Sequence, residues 1–154
     1  MASRRKSREL ALQMLFQWDF SKEVYARVRD SFWTLHQEAG DEVREFSDWL
    51  VQGAIENVEK IDVLLASHAE HWRLARMAMV DRNILRIATF ELLHEVGTPR
   101  AVIINEALEV ARKFSTPESI LFINGILDSI RKGQENQDPS SSEPVEAPLE
   151  PNRF

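Results

Sequence analysis

Apolar residues recur along this chain at intervals of three and four positions, the spacing that places them on one face of an α-helix. The clearest stripe lies near the end of the sequence and consists of Ile120, Ile123, Leu127 and Ile130. Strand-like alternation between turn residues is missing. The pattern predicts an all-α fold with helices over residues 4–19, 22–38, 42–68, 72–77, 81–96, 99–114 and 117–131.

Capping residues set several of the predicted helix ends. Thr98-Pro99 and Thr116-Pro117 each place a hydroxyl before a proline at the first helical position, where the missing N–H costs nothing. Ser115 with Glu118 is an alternative capping box at the second of these sites. Asp81 is predicted to open its helix, because a carboxylate suits the N-terminal end of the helix dipole.

The sequence changes character near residue 134. Residues 1–133 predict one compact domain of seven helices, made of a bundle over about 1–70 and a second over about 71–133, with a polar stretch around residues 68–71 between them. Residues 134–154 contain four prolines and a run of three serines without apolar periodicity. We expect this acidic tail to be disordered.

Composition narrows the class of protein. The chain of 154 residues has no cysteine, which excludes disulfides and thiolate metal sites. No apolar run approaches the roughly 18 residues of a membrane span, and the charged start lacks the apolar stretch of a signal peptide. The expectation is a cytoplasmic protein that does not enter a membrane.

The formal net charge of −6 does not exclude a nucleic-acid partner, because it is unevenly distributed. Five acids and one base in residues 134–154 account for −4 of it. Arg4, Arg5, Lys6 and Arg8, in contrast, place four cations in the first eight residues. Phosphate attraction depends on the potential within about 8–10 Å, so this local cluster matters more than the total.

Phe16 extends the cationic cluster into a candidate RNA site. At 100° per residue it lies away from the main apolar stripe of the first helix, on the side that carries Arg5 and Arg8. Arginines beside an exposed ring suit RNA, because they bind phosphate while the ring stacks on an unpaired base. The alternative is a solvated helix end with Phe16 buried by a second packing face, which Leu12 would support.

Phe122 raises the same two interpretations, since it lies roughly 120° from the stripe of the last helix. It is either a base-stacking ring or a boundary residue packed by a neighbouring helix.

Patterns typical of catalysis are weak. The four histidines form no HExxH pair, and neither GxxxxGK[ST] nor GxGxxG occurs. His68 and His71 share a helical spacing without an acid placed to complete a metal site. Asn105-Glu106 and Asn124-Gly125 are polar insertions in apolar helices, and capping, interhelical hydrogen bonds or tight packing explain them at least as well as catalysis. We therefore predict no catalytic residue, no metal and no cofactor.

Four segments, in order, resemble the sequence pattern of the NusB family. Residues 4–13 (RRKSRELALQ) are similar to its arginine-rich start, and residues 81–92 (DRNILRIATFEL) to its central helix. Residues 99–114 contain VIINEA, which matches the family's "V.INEA" motif, and residues 122–128 (FINGILD) match "FVNGVLD". Together they span nearly all of the chain before the tail.

The resemblance implies a transcription antitermination factor built from two small helical bundles. It implies that the protein binds the boxA element of nascent ribosomal RNA, a single-stranded target, jointly with the ribosomal protein NusE. That assembly would hold the antitermination complex on RNA polymerase, and a homodimer is a further expectation.

The same resemblance implies which residues act. The implied RNA-binding residues are Arg4, Arg5, Lys6, Arg8, Phe16, Glu118 and Phe122. Phe16 stands where the family usually has tyrosine, so stacking is kept while the hydroxyl is lost. Ile120-Leu121 replaces a His-Lys pair, which removes two polar contacts. Asp81 matches an acidic position near the surface that faces NusE.

Two other functions stay open at this point. The chain could be a helical interaction or homodimerisation module whose N-terminal cations are simply solvated. It could also be an RNA-binding domain related to that of ribosomal RNA cytosine methyltransferases, although it lacks a cofactor-binding βαβ segment.

Overall fold

A computed structural model describes residues 2–69 and 74–137 of the chain. Within these ranges the protein forms α-helices, one short 3-10 turn over Leu74–Arg76 and no strand. The helices are α1 (Ala2–Ser21), α2 (Tyr25–Leu35), α3 (Asp41–Glu56), α4 (Val58–His68), α5 (Met79–His94), α6 (Arg100–Phe114) and α7 (Pro117–Gln137). The predicted all-α fold class is confirmed.

Contacts between helix ends give the helix directions. Near its start α1 is bonded through Arg8 to the late part of α5, and near its end through Asp19 to the beginning of α5, so the two helices are antiparallel. Helix α7 bonds the start of α5 through Ser119 and its end through Gln134, so these two run parallel. Helices α1, α3, α4, α6 and α7 all pack against α5, which is central to the fold.

Helix α1 is buried on two sides. Its main stripe packs in the core through Leu10, Ala11, Met14 and Leu15. Leu12 lies off that stripe yet is only 3% exposed, because it faces residues of α5 and α6 such as Ile87 and Ile103. Burial of a leucine stabilises a fold by roughly 1.5–3 kcal/mol, so this second face anchors α1 to α6. The two-sided packing was the alternative that Leu12 indicated.

One predicted helix is in fact two. The expected helix over 42–68 is interrupted at Asn57, which has φ −113° and ψ 15°. Its side-chain amide donates to the carbonyl of Gly53 at 2.8 Å, competing with the backbone for that acceptor. Of the predicted helix over 72–77, the described residues contain the 3-10 turn Leu74–Arg76, and residues 70–73 lie outside the described part of the chain.

The predicted caps were partly right. Thr116 caps α7, since its hydroxyl oxygen accepts the backbone N–H of Ser119 at 3.2 Å. The predicted cap by Thr98 was wrong: Pro99 itself is the N-cap of α6, and no side chain caps that end. The alternative Ser115 capping box does not form: Thr116 is the residue that caps α7, and the Ser115 hydroxyl donates to Asp81 instead. Asp81 lies in the first turn of α5 but does not open it, since the helix begins at Met79.

The end of the domain lies later than predicted. Helix α7 continues to Gln137, so residues 134–137, expected in the disordered tail, are helical. The Gln134 amide donates to the carbonyl of Leu92 at 2.9 Å and holds this last turn against α5. The rest of the predicted tail, 138–154, lies outside the described residues, and the division into two bundles near residue 70 stays a prediction.

Membrane insertion finds no support among the helices. None of those in the described ranges is long and apolar enough to cross a bilayer.

Candidate nucleic-acid interface

Arg8, one of the four predicted RNA-binding cations, is buried. Its side chain donates to both carboxylate oxygens of Glu91 at 2.9 and 2.6 Å, and the two side chains are 7% and 1% exposed. Glu106 lies 3.9 Å from the same guanidinium. The group of Arg8 that would bind phosphate is therefore enclosed and already paired within the chain, and its predicted contact with RNA stays a prediction.

Arg5 points outward from the same turn of α1. Its side chain is 48% exposed and donates two hydrogen bonds of 3.0 Å to the carboxylate of Glu106 on α6. The hydrogen bond from Arg5 lowers the pKa of Glu106, against a smaller opposing effect of burial. Arg5 is thus accessible to a ligand, but a fully ionised carboxylate holds it in place.

The remaining predicted cations differ in their surroundings. The Arg4 guanidinium lies 3.8 Å from the centre of the Phe46 ring and 3.8 Å from Glu95. A cation over an aromatic face contributes about 0.5–1 kcal/mol at an exposed site. Lys6 is exposed and forms no ion pair with the described part of the chain. Arg4, Arg5 and Lys6 together are the cationic end of α1.

A single stripe of α1 faces α6. Arg5 reaches Glu106, and one turn later Glu9 accepts a 3.0 Å hydrogen bond from Lys113, so the two helices run in the same direction. Phe16 follows on this stripe, eleven residues and about 16 Å beyond Arg5. It is half-buried, and its ring stacks in parallel on that of Phe20.

The start of α7 lies level with this aromatic part of α1. Asp19 of α1 and Ser119 of α7 bond neighbouring residues of α5, Arg82 and Asp81 respectively. Phe16 lies about one turn before Asp19, and Phe122 about one turn after Ser119. Because α1 and α7 run in opposite directions, both steps lead the same way along α5, so Phe16 and Phe122 both lie from these contacts toward the C-terminal end of α5.

Phe122 and Glu118 differ in exposure. Phe122 is half-buried and packs against the core, as a boundary residue would. Glu118, in the first turn of α7, is exposed. Part of the ring packs on the core and part stays accessible. The structure is therefore compatible with both interpretations of Phe122, a boundary residue and a base-stacking ring.

Asp81 is not on the surface where a partner would contact it. It is 3% exposed, and its two carboxylate oxygens accept hydrogen bonds from the hydroxyls of Ser115 and Ser119. These bonds tie the start of α5 to the start of α7. The carboxylate is thus enclosed and accepts hydrogen bonds within the chain, and the expected contact with NusE through Asp81 stays a prediction.

The carboxylates that hold the arginines were missed by the sequence analysis. Glu91, Glu95 and Glu106 come from α5 and α6, far along the chain from the cations. The one available indication was the polar Asn105-Glu106 insertion in an apolar helix, for which an interhelical hydrogen bond was one of three explanations left open. Glu106 makes such a bond with Arg5.

No described group of His, Asp or Glu side chains is arranged to hold a metal ion. His68 instead makes a 2.6 Å hydrogen bond to the Ser129 hydroxyl between α4 and α7. His71 lies outside the described residues.

Known proteins resemble this chain along most of its length. The model of the NusB family matches residues 5–132. A transcription antitermination protein NusB from Koribacter versatilis is 53% identical over 130 residues, which is 84% of this chain and 89% of that protein. Its counterpart from Solibacter usitatus is 47% identical over 133 residues, covering 86% of this chain and 90% of that protein.

A solved structure shows the same architecture. NusB from T. maritima superposes with a TM-score of 0.77 at 38% identity, covering 84% of this chain and 90% of that one. A complex of the antitermination factors NusB and NusE with double-stranded RNA contains a chain with a TM-score of 0.79. At 23% identity over 86% of this chain and 98% of that one, this second likeness concerns the fold.

Proposed function

This chain belongs to the NusB family of transcription antitermination proteins, and from that premise we propose that it binds a boxA-type single-stranded RNA together with NusE. The bound element would lie in nascent ribosomal RNA, and the assembly would act on RNA polymerase during transcription. The family consists of transcription factors, which agrees with the prediction that the chain is not an enzyme.

One observation carries the RNA-binding proposal. Arg5, an accessible cation, and Phe16, an accessible ring, share one face of α1 and are separated by about 16 Å. Phe122 and Glu118 lie at the start of α7, which bonds α5 next to the residue bound by the end of α1. A single strand laid along this face would meet cations at one end and rings at the other, which is the combination that single-strand binding uses.

The strength of each cation's ion pair within the chain determines whether that cation can bind an RNA phosphate. The Arg5–Glu106 pair is solvent-exposed on the arginine side, and exposed pairs contribute only about 0–1 kcal/mol. A phosphate can therefore replace Glu106 at little cost. Breaking the buried Arg8–Glu91 pair would cost about 3–5 kcal/mol. We propose Arg4, Arg5 and Lys6 as the phosphate contacts, with Arg8 positioning the helix that carries them.

NusE is the proposed protein partner. The support is the solved complex of a NusB and a NusE with double-stranded RNA, whose NusB chain has the fold of this protein. Joining two weak half-sites raises the apparent affinity without new contacts at either one. We expect modest affinity of the isolated chain for RNA and tighter binding when NusE is present.

Fluorescence anisotropy with a labelled boxA-type RNA, with and without NusE, tests the proposal. The logarithm of the affinity should fall linearly with the logarithm of the salt concentration, and Arg5→Ala should reduce that slope by about one. Arg29→Ala on α2 is the matched control, because Arg29 is similarly exposed at 43% and pairs with Asp30. Absence of RNA binding under both conditions would leave the interaction-module hypothesis in its place.

A further inference from the structure

A second aromatic ring continues the stripe of α1 that carries Arg5 and Phe16. Phe20 is 72% exposed, although the large apolar side chain of phenylalanine is usually buried. Its ring is parallel to that of Phe16 within 5°, with the ring centres 6.4 Å apart. On the helix it lies about 60° around from Arg5, so cation and both rings belong to the same side of α1.

The backbone beneath Phe20 is firmly held. The neighbouring Asp19 is 5% exposed and accepts hydrogen bonds from three side chains of α5. These donors are Arg82 at 2.6 Å, Asn83 at 3.2 Å and Arg86 at 3.1 Å. The helix end that carries the ring is therefore already fixed, so ligand binding would cost little entropy for ordering this segment of the protein.

A cation follows the ring. Lys22 has φ 62°, and its backbone N–H donates to the carbonyl of Trp18 at 3.0 Å, which ends α1. The Lys22 side chain is 78% exposed, and its ammonium lies 3.5 Å from Asp19. The loose contact leaves this ammonium free to approach an anion that lies over Phe20.

We propose that Phe16 and Phe20 form a two-ring platform on which consecutive unpaired bases of the RNA stack, with Lys22 contacting the phosphate beside them. The platform rests on the RNA-binding function proposed above and extends its footprint to the end of α1. The 6.4 Å between ring centres exceeds the 3.4 Å rise per nucleotide of a duplex strand. The rings consequently suit bases drawn apart in a single strand, and stacking on them tolerates any base because every base has a flat face.

A protein partner or a second copy fits this surface less well. A stable protein interface buries about 800 Å² on each partner and excludes lysine from its centre. Phe20 is one protruding ring two residues before the exposed Lys22, and it continues a stripe that begins with Arg5. The charge pattern thus favours an anionic, flat-faced ligand.

The test measures RNA affinity of Phe20 variants in the full chain. Phe20→Ala should weaken binding of a boxA-type RNA at least about five-fold, and Phe20→Trp should retain it. The melting temperature should not change, because the ring is exposed. Leu35→Ala is the control, since Leu35 is 77% exposed on α2 and lies off the stripe. It should leave RNA binding unchanged.

An RNA with abasic nucleotides separates stacking from other effects. If a base stacks on Phe20, one abasic position should weaken wild-type binding and abolish the additional loss caused by Phe20→Ala. Normal RNA binding by Phe20→Ala overturns the platform and leaves the proposed function intact. No RNA binding by the wild type overturns both. Loss of a concentration-dependent dimer in Phe20→Ala, measured by sedimentation with RNA binding retained, assigns the ring to self-association instead.

Discussion

The pair of Arg8 and Glu91 offers the sharpest test of how this fold uses its N-terminal arginines. Arg8→Met keeps the length of the side chain and removes its charge, which leaves the Glu91 carboxylate, 1% exposed, without a cation. Removing one partner of a buried ion pair costs about 3–5 kcal/mol. At roughly 3 °C per kcal/mol for a domain of this size, the melting temperature should fall by about 10–15 °C.

The double variant identifies the cause of that loss. Arg8→Met with Glu91→Leu removes both charges and fills the same space with apolar groups. The surroundings favour this replacement, because Leu12, Ile87 and Ala88 border the pair between α1, α5 and α6. Buried pairs replaced in this way are often neutral or gain stability. We expect most of the stability lost in Arg8→Met to return in the double variant.

Urea unfolding at pH 7, followed by circular dichroism, measures these free energies. Arg5→Met is the matched control, since Arg5 lies one turn away and is 48% exposed, and this variant should lose far less stability than Arg8→Met. RNA binding should show the reverse order: Arg5→Met reduces the salt slope by about one, while the double variant keeps it. A loss below 1 kcal/mol in Arg8→Met, or a reduced salt slope in the double variant, would refute the assignment of Arg8 to the fold.

Glycine and carboxylate substitutions give further predictions. Gly53→Ala should destabilise the protein by about 1–3 kcal/mol in urea unfolding, because the new Cβ would lie 2.0 Å from Cζ of Phe90. The control Gly125→Ala meets nothing within 4 Å and should gain about 0.5–1 kcal/mol; equal effects would contradict the close approach. Burial alone would raise the pKa of Asp19, but the hydrogen bond from Arg82 and the charge of Arg86 lower it. Its contribution is therefore present above the ordinary value of 3.8 and lost as the pH falls through the lowered pKa. The stability advantage of the wild type over Asp19→Asn should shrink below about pH 4, and an advantage that grows there would contradict this.

The sequence predicted those parts of the fold that depend on local pattern. Apolar spacing was sufficient for the helices, and Thr116 before Pro117 was sufficient for the start of α7. The pattern could not reveal the break at Asn57, because the apolar positions continue across it and the bond from the Asn57 amide to the Gly53 carbonyl leaves no trace in apolar spacing. The last turn of α7 was missed for a related reason: a side chain holds it to α5, while its own residues are polar.

The candidate site was predictable as a set of residue types but not as a set of roles. Arg5 and Arg8 look equivalent in the sequence, both being cations near the start of one helix. Their partners, Glu106 and Glu91, lie 101 and 83 residues away along the chain. Local pattern contains nothing about such distant pairing, and the pairing decides which arginine is enclosed. Asp81 illustrates the same limit, since its hydroxyl donors belong to α7 and to the link before it.

These distant pairings change the meaning of the motifs by which the chain resembles its family. Arg8 of the first motif binds Glu91 of the second, and Arg5 of the first binds Glu106 of the third. A residue in a family motif is therefore not necessarily a ligand contact. Two motifs can also occur together because their residues bind each other within the fold. What distinguishes the two kinds of residue is exposure. Under the function proposed above, Arg5 would belong to both, because its pair with Glu106 is exposed on the arginine side. The face of α1 therefore combines a buried pair that fixes the helix with a pair whose arginine is open to solvent.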